Sequence, residues 1–230
     1  MAAGLTFGID VEIDAEGKAL AETVARYPCL LATRMEWGFV LQGTFPILHD
    51  QREVDAFTVR IDLRRSGAGF TAALCEIGGR IPHREDRHIF GAGGYACVAL
   101  PEDVYLLTGG KPLSLASFLD GPVRSFFLAQ LVVERDGYWP FGDRGHGAHG
   151  LADFYEELLG TRDLSVVEKY LVVLSEARTY RQRVCPCGSG DKLRRCHAAQ
   201  LTSLRSRVSS HVAQRFLERV RSALAPSSRT

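Results

Sequence analysis

The chain has 230 residues, 46% apolar and 24% charged, a balance typical of globular proteins that excludes a disordered or collagen-like chain. The first twenty residues carry Asp10, Glu12, Asp14 and Glu16 where a signal peptide would have a basic start and an apolar stretch. The longest apolar run, Ser125 to Val133, is broken by Gln130, so neither a signal peptide nor a membrane helix of ~20 apolar residues is expected, and the expected location is the cytoplasm.

The net charge of +1 conceals an asymmetry. Residues 178–230 hold 12 Lys/Arg against 2 Asp/Glu, a balance of +10, whereas residues 1–177 hold 16 against 25, a balance of −9. A basic tail of this kind binds nucleic acid, an acidic protein or its own acidic body, or is simply a solvated helix face.

In chain order, residues 1–16 show no clear pattern, and Ala15 to Ala25 predicts a short helix ending before Tyr27-Pro28. Strand-like runs follow. Trp37 to Phe45 is aromatic and β-branched. Phe57, Val59, Ile61 and Leu63 alternate with Thr58, Arg60, Asp62 and Arg64, which predicts a half-buried strand with one wet face. Ser66 to Gly69 is a turn, and Phe70 to Ile77 is the next strand of a meander. Residues 78–112, rich in Gly, Pro, His and charge, are expected to be a long loop.

Helices are expected thereafter. Asp120-Gly121-Pro122 predicts a helix start, Leu151 to Leu159 a helix stopped by Gly160, and Ser165 with Glu168 a capping box opening a helix to about Tyr180. Leu201, Leu204, Val208, Val212, Phe216, Val220 and Leu224 recur at helical spacing. Strands first and helices after predict an α+β fold.

Three of the six cysteines lie within twelve residues, in Cys185-Pro-Cys187-Gly-Ser-Gly-Asp-Lys-Leu-Arg-Arg-Cys196-His197. A metal explains them better than disulfides. Cys185 and Cys187 grip from one turn, Gly188 and Gly190 let the chain fold back, and Cys196 and His197 close a four-ligand set from the start of a helix. Three thiolates and a neutral imidazole suit one structural Zn2+ per chain, with a net site charge near −1 offset by Lys192, Arg194 and Arg195. A full ligand set leaves no open position for catalysis at the metal. This stretch resembles the SEC-C motif, an auxiliary module of many proteins that does not by itself define an activity.

A second signal is the run from Ile81 to Pro101, which places Gly91, Gly93 and Gly94 just before Cys97. A cysteine nucleophile needs open backbone nearby and thiolate character, which His88 or Arg87 would promote. Cys97 suits a small buried hydrophobe as well, and on these residues alone both readings stay open.

The stretch is similar to the active site of ubiquitin-conjugating enzymes, with His88-Ile89 standing where Asn-Ile would be and Ala96-Cys97-Val98 where Ile-Cys-Leu would be, one residue further apart. It is more similar to divergent bacterial E2-like relatives, through Asp86-Arg87-His88, Phe126-Phe127 with Gln130, Trp139-Pro140 and His146-Gly147. The resemblance covers about residues 15–162. It implies a ubiquitin-conjugating-enzyme-like domain there, an antiparallel meander flanked by helices. A connecting helix over 163–184, the zinc knuckle over 185–198 and a basic helix and tail over 199–230 would follow.

The function so implied is a thioester relay. Cys97 would take a ubiquitin-like protein from an E1-like activating enzyme and pass it to an amine on a protein target. His88 would replace the missing Asn as oxyanion donor, and Cys97 should be exposed. His146 or His149 would help deprotonate the amine or would belong to a structural turn. Such bacterial enzymes occur beside an activating enzyme and a deubiquitinase-like protease, and several act against phage.

The competing readings are a silent adaptor of the same fold that binds through its SEC-C motif and basic tail, a nucleic-acid-binding protein, and a cysteine hydrolase using Cys97 with His146. Nucleic acid is not the expected partner, because the tail's aromatics are only Tyr180 and Phe216.

Overall fold

Period-two alternation builds the sheet. In strand β4 (Arg52–Ser66), Phe57, Val59, Ile61 and Leu63 are all buried on one face. Strand β4 pairs antiparallel with β3 (Gly38–His49) and with β5 (Gly69–Glu76), and β3 pairs with β2 (Leu30–Met35). This is the expected meander with one strand more. The turn between β3 and β4 is Asp50-Gln51, at φ 47° and 63°, the left-handed pair that a two-residue hairpin turn requires. The computed structural model describes residues 8–14, 18–66, 69–91, 93–141, 148–176 and 182–225.

Two regions of the sheet depart from expectation. Residues 9–12 form a strand, β1 (Ile9–Glu12), antiparallel to β5 and parallel to β8 (Leu113–Ser114), so the strand order is β2-β3-β4-β5-β1-β8. Its alternation is present, with Ile9 and Val11 buried, but it spans too few residues to stand out.

Residues 78–112 are not one long loop. They hold a tight turn (Glu85–Arg87), β6 (Ile89–Phe90), β7 (Tyr95–Ala96) and helix α2 (Pro101–Leu107). Strand β7 pairs with β6 and with the far half of β5. Partly buried chain must pair its N–H and C=O groups, and a short antiparallel ladder does this. Nor is the outer face of β4 wholly wet: Asp62 is buried there, bonded by Arg60 Nε at 2.8 Å.

One face of the sheet carries the core. Helix α1 (Lys18–Arg26) begins where Asp14 accepts the Lys18 N–H at 2.8 Å. At its end Tyr27 stacks on Phe45, with 5.3 Å between ring centres. Phe127 of helix α4 (Arg124–Asp136) lies 5.7 Å from Phe45 and 4.3 Å from Phe57.

The helix expected to open at Asp120-Gly121-Pro122 in fact starts earlier. Ser114 caps α3 (Leu115–Phe118), accepting from Ser117 N–H at 3.0 Å, and a wide π turn, Leu119–Val123, leads directly into α4. Pro122 has no N–H to donate, and the widened turn takes it in without ending the helix. Asp120 is therefore no helix cap. Its carboxylate binds the Tyr27 hydroxyl, Arg26 at 2.8 Å and Arg124 at 3.1 Å.

The chain divides into two compact units, residues 1–143 and 144–230. Helix α5 (Ala148–Leu159), which the sequence reading put in the first domain, packs with α6 (Leu164–Ser175) and α8 (Ser210–Leu224) in the second. Gly160, at φ 73°, stops α5 as expected. The cap of α6 is Asp163, which accepts from Ser165 N–H at 2.8 Å, in place of the Ser165–Glu168 box. Glu168 pairs instead with Arg221 at 2.7 Å. Helix α6 ends at Ser175, short of Tyr180, which lies outside the described residues.

The single apolar stripe from Leu201 to Leu224 is split between α7 (Ala198–Arg207) and α8, because Val208 is extended and Ser209 caps α8 by accepting from Val212 N–H at 3.3 Å. The molecule is a mixed α+β protein. No helix among the described residues is long and apolar enough to cross a membrane.

Candidate metal centre and the cysteine loop

The knuckle is a small hairpin closed onto a helix. Cys185 N–H donates to Asp191 O at 2.7 Å, and Leu193 N–H to Arg183 O at 2.8 Å. Gly188 and Gly190 turn the chain between them at φ 81° and 78°, a region costly for other residues. Leu193 is fully buried and anchors the tight turn Leu193–Arg195. Cys196 follows that turn, and His197 stands at the start of α7.

The outcome is convergence of all four expected ligands. Cys185 Sγ lies 3.1 Å from His197 Nδ1, Cys196 Sγ 3.0 Å from the same atom, and Cys187 Sγ 3.5 Å from Cys196 Sγ. The four ligand atoms are all within 4.8 Å of one another. Metal–sulfur bonds of about 2.3 Å in a tetrahedron set ligand atoms about 3.5–3.8 Å apart, so the donor set fits a zinc knuckle after small adjustments of the side chains.

Ser189 hydrogen-bonds the Cys187 sulfur, with Oγ 3.3 Å away, and through its side chain and then its N–H draws that thiol below its ordinary range. Lys192, Arg194 and Arg195 are exposed on the same segment.

Sequence reasoning missed the group behind the ligands. Tyr170 of α6 is buried, its hydroxyl 3.5 Å from Cys185 Sγ and its ring edge-on to His197, 5.6 Å between centres. Burial, and then the bond to Cys185, raise the Tyr170 pKa, so this hydroxyl keeps its proton to donate. No local signal marks it: at its helical spacing it reads as one more core residue beside Val167, Leu171 and Leu174.

Cys97 lies between β7 and α2, half-buried rather than exposed as expected. The glycine loop before it is fastened to the outer face of the sheet. Tyr95 donates to Asp62 at 3.3 Å, and Cys75 to Gly93 O at 3.6 Å. Gly94, at φ 63°, lies under the His83 ring, which a Cβ would approach to 2.4 Å. Burial pushes the Cys75 thiol up to about 12 and leaves it inert.

The structure brings together most of the residues singled out around Cys97. Cys97 N–H donates to His88 O at 2.8 Å. The His88 ring stacks on Trp139, 3.9 Å between centres, and Trp139 lies 6.2 Å from Phe126. Arg87 is buried, and its Nε donates to Gln130 Oε1 at 2.8 Å. Gln130, also buried, returns a bond from Nε2 to Arg87 O at 2.7 Å. Asp86 stands apart, exposed and paired with Arg84 at 2.6 Å. His146 and Gly147 lie outside the described residues. His149 is exposed in the first turn of α5, in the second unit.

Against known proteins, residues 184–199 match the family described as SEC-C motif. The chain thus carries a SEC-C motif, and the match is confined to the knuckle and the first turn of α7. No curated protein and no solved structure matches the chain.

Proposed function

We propose that this protein is an E2-type conjugating enzyme that carries a ubiquitin-like protein as a thioester on Cys97, and that its knuckle holds one structural zinc. One observation carries the catalytic reading. Residues far apart in sequence, Arg87, Gln130, Phe126 and Trp139, are linked to one another and to His88, whose carbonyl accepts the Cys97 N–H.

In the proposed relay, the Cys97 thiolate attacks the thioester carbonyl on the activating enzyme. A new carbon–sulfur bond forms and the activating enzyme's thiolate leaves. An amine of the target then attacks the Cys97 thioester. A carbon–nitrogen bond forms, the Cys97 thiolate leaves and the amine loses a proton. The oxyanion of the amine step needs a donor, and His88, held against Trp139, is the group assigned to that role. An anti-phage conjugation pathway in the cytoplasm is the setting proposed.

Zinc would be held by Cys185, Cys187, Cys196 and His197, with Tyr170 bonded to the first of them. It supplies local folding energy and no chemistry. The silent-adaptor reading draws on the half-burial of Cys97.

Charging decides between the two. With its activating enzyme, ATP and the ubiquitin-like partner, the protein should form an adduct that reducing agent removes. Cys97→Ala should abolish it, and Cys29→Ala and Cys75→Ala should not. His88→Ala should keep charging but slow discharge to amines. No reducible adduct with the complete set of components would leave the adaptor.

A further inference from the structure

His88 is the one residue among those described, glycines and the Asp50-Gln51 hairpin turn aside, with a left-handed backbone, at φ 54° and ψ 32°. The hairpin pair has its left-handed φ from the turn type. His88 has it from closing a three-residue turn, where its own N–H donates to Glu85 O at 2.9 Å and the Ile89 N–H to Arg84 O at 3.2 Å, a capping place that glycine would take at lower cost. A residue held in that region persists only where its surroundings over-determine it, and such positions cluster at functional sites.

Besides these backbone bonds, two contacts bear on His88 and its neighbour. On its chain neighbour, Gln130 of α4 clamps Arg87 at both ends, accepting from the side chain and donating to the backbone carbonyl. On its ring, Trp139 stacks. His88 in turn passes the constraint on, because its own carbonyl accepts the Cys97 N–H.

We infer that Gln130 is a positioning residue: by clamping Arg87 it holds His88 left-handed, and through the His88 carbonyl it sets the place of the Cys97 thiol. The inference builds on the reading of Cys97 as the acyl carrier, but its test reads the thiol directly. Glutamine suits the task because one side chain must both accept and donate in a buried place. Glutamate would keep the bond from Arg87 Nε and set an acceptor against the Arg87 carbonyl, and methionine would lose both.

The test is site-resolved labelling of the full chain with iodoacetamide, read by mass spectrometry at each cysteine. In Gln130→Met, the half-buried Cys97 should label roughly tenfold faster or more, the effect of losing two buried hydrogen bonds on an opening equilibrium. Cys75, buried in β5, should stay as protected as in the wild type and so reports on the sheet. Gln130→Glu, closer in shape, should give the same pattern if the bond to the Arg87 carbonyl is what matters.

In a His88→Gly background, where the left-handed backbone costs little, the effect of Gln130→Met should shrink well below tenfold. Unchanged Cys97 labelling in a folded variant overturns the proposal. So does equal gain at Cys75 and Cys97 in both variants, which would make Gln130 a general core residue. If the wild type never forms a thioester, the conjugating function fails while this labelling result stands.

Discussion

At the scale of single residues, the hydroxyl of Tyr170 is the least obvious determinant of the metal centre. It is buried beside Cys185 Sγ and keeps its proton, so it can donate to a ligand thiolate. Tyr170→Phe keeps the ring on His197 and removes that bond. Outer-shell losses of this kind cost about 10–100-fold in metal affinity, and competition with a zinc-binding dye should show a loss in that range with the fold intact.

A different residue contact governs pH dependence in the first unit. Arg80 forks onto Asp55 at 2.6 and 2.8 Å and onto Glu134 at 3.1 and 2.7 Å, over the Phe57 ring. Its guanidinium holds the Asp55 carboxyl below the usual carboxylate range. A depressed folded pKa stabilises above the unfolded value and is lost as pH falls through the folded one. The stability gap between wild type and Arg80→Met should therefore be full at pH 7 and narrow below about pH 4. Urea midpoints of both proteins across that range would show it, and a gap that widens on acidification would refute it.

Elements are shaped by backbone approach as much as by pattern. Strand β3 passes so close to the segment before β2 that a Cβ on Gly43 would lie 1.9 Å from the Cys29 carbonyl oxygen, and Gly43 sits at φ 149°. Neither strand can yield without breaking its ladder, since Leu30 faces Gly43 and Gly43 faces Val59. Gly43→Ala should cost more than about 3 kcal/mol, above the ordinary range for one substitution, and urea unfolding would measure it. The chain at α3 and α4 makes the complementary point. A proline that announces a helix start sits inside a continuous helical run, because a π turn absorbs it and Asp120 is occupied in binding Tyr27, Arg26 and Arg124.

Across the whole molecule, the basic tail and the candidate metal cluster belong to the second unit and the cysteine loop to the first. Part of the basic tail is used internally. Arg221 pairs with Glu168, Arg183 with Glu176 at 2.7 Å, and Arg205 donates to the carbonyls of Val173 and Glu176 at the end of α6, where a cation suits the helix dipole. Because the ligands span residues 185–197 and lean on Tyr170, removal of the metal by a chelator should loosen that region alone. Hydrogen exchange should quicken over residues 182–200 and leave the β3–β5 amides unchanged. Equal quickening in the sheet would show that the two units unfold together.

The Cys/His cluster of the knuckle was legible in the sequence, because all four candidate donors lie within thirteen residues and metal spacing is a local property. The meander was legible too, since a half-buried strand writes its two faces into alternate residues, as Phe57 to Leu63 do. What the tertiary structure alone decided are the features made by distant partners. The strand Ile9–Glu12 exists because β5 and β8 flank it. The break between α7 and α8 lies within one apolar stripe. Arg87 meets Gln130 across 43 residues, and Tyr170 reaches Cys185 from another helix. A buried hydrogen bond between two elements leaves no period and no spacing in either of them, so only the packed chain shows that Gln130 meets Arg87 and that the His88 carbonyl accepts the Cys97 N–H.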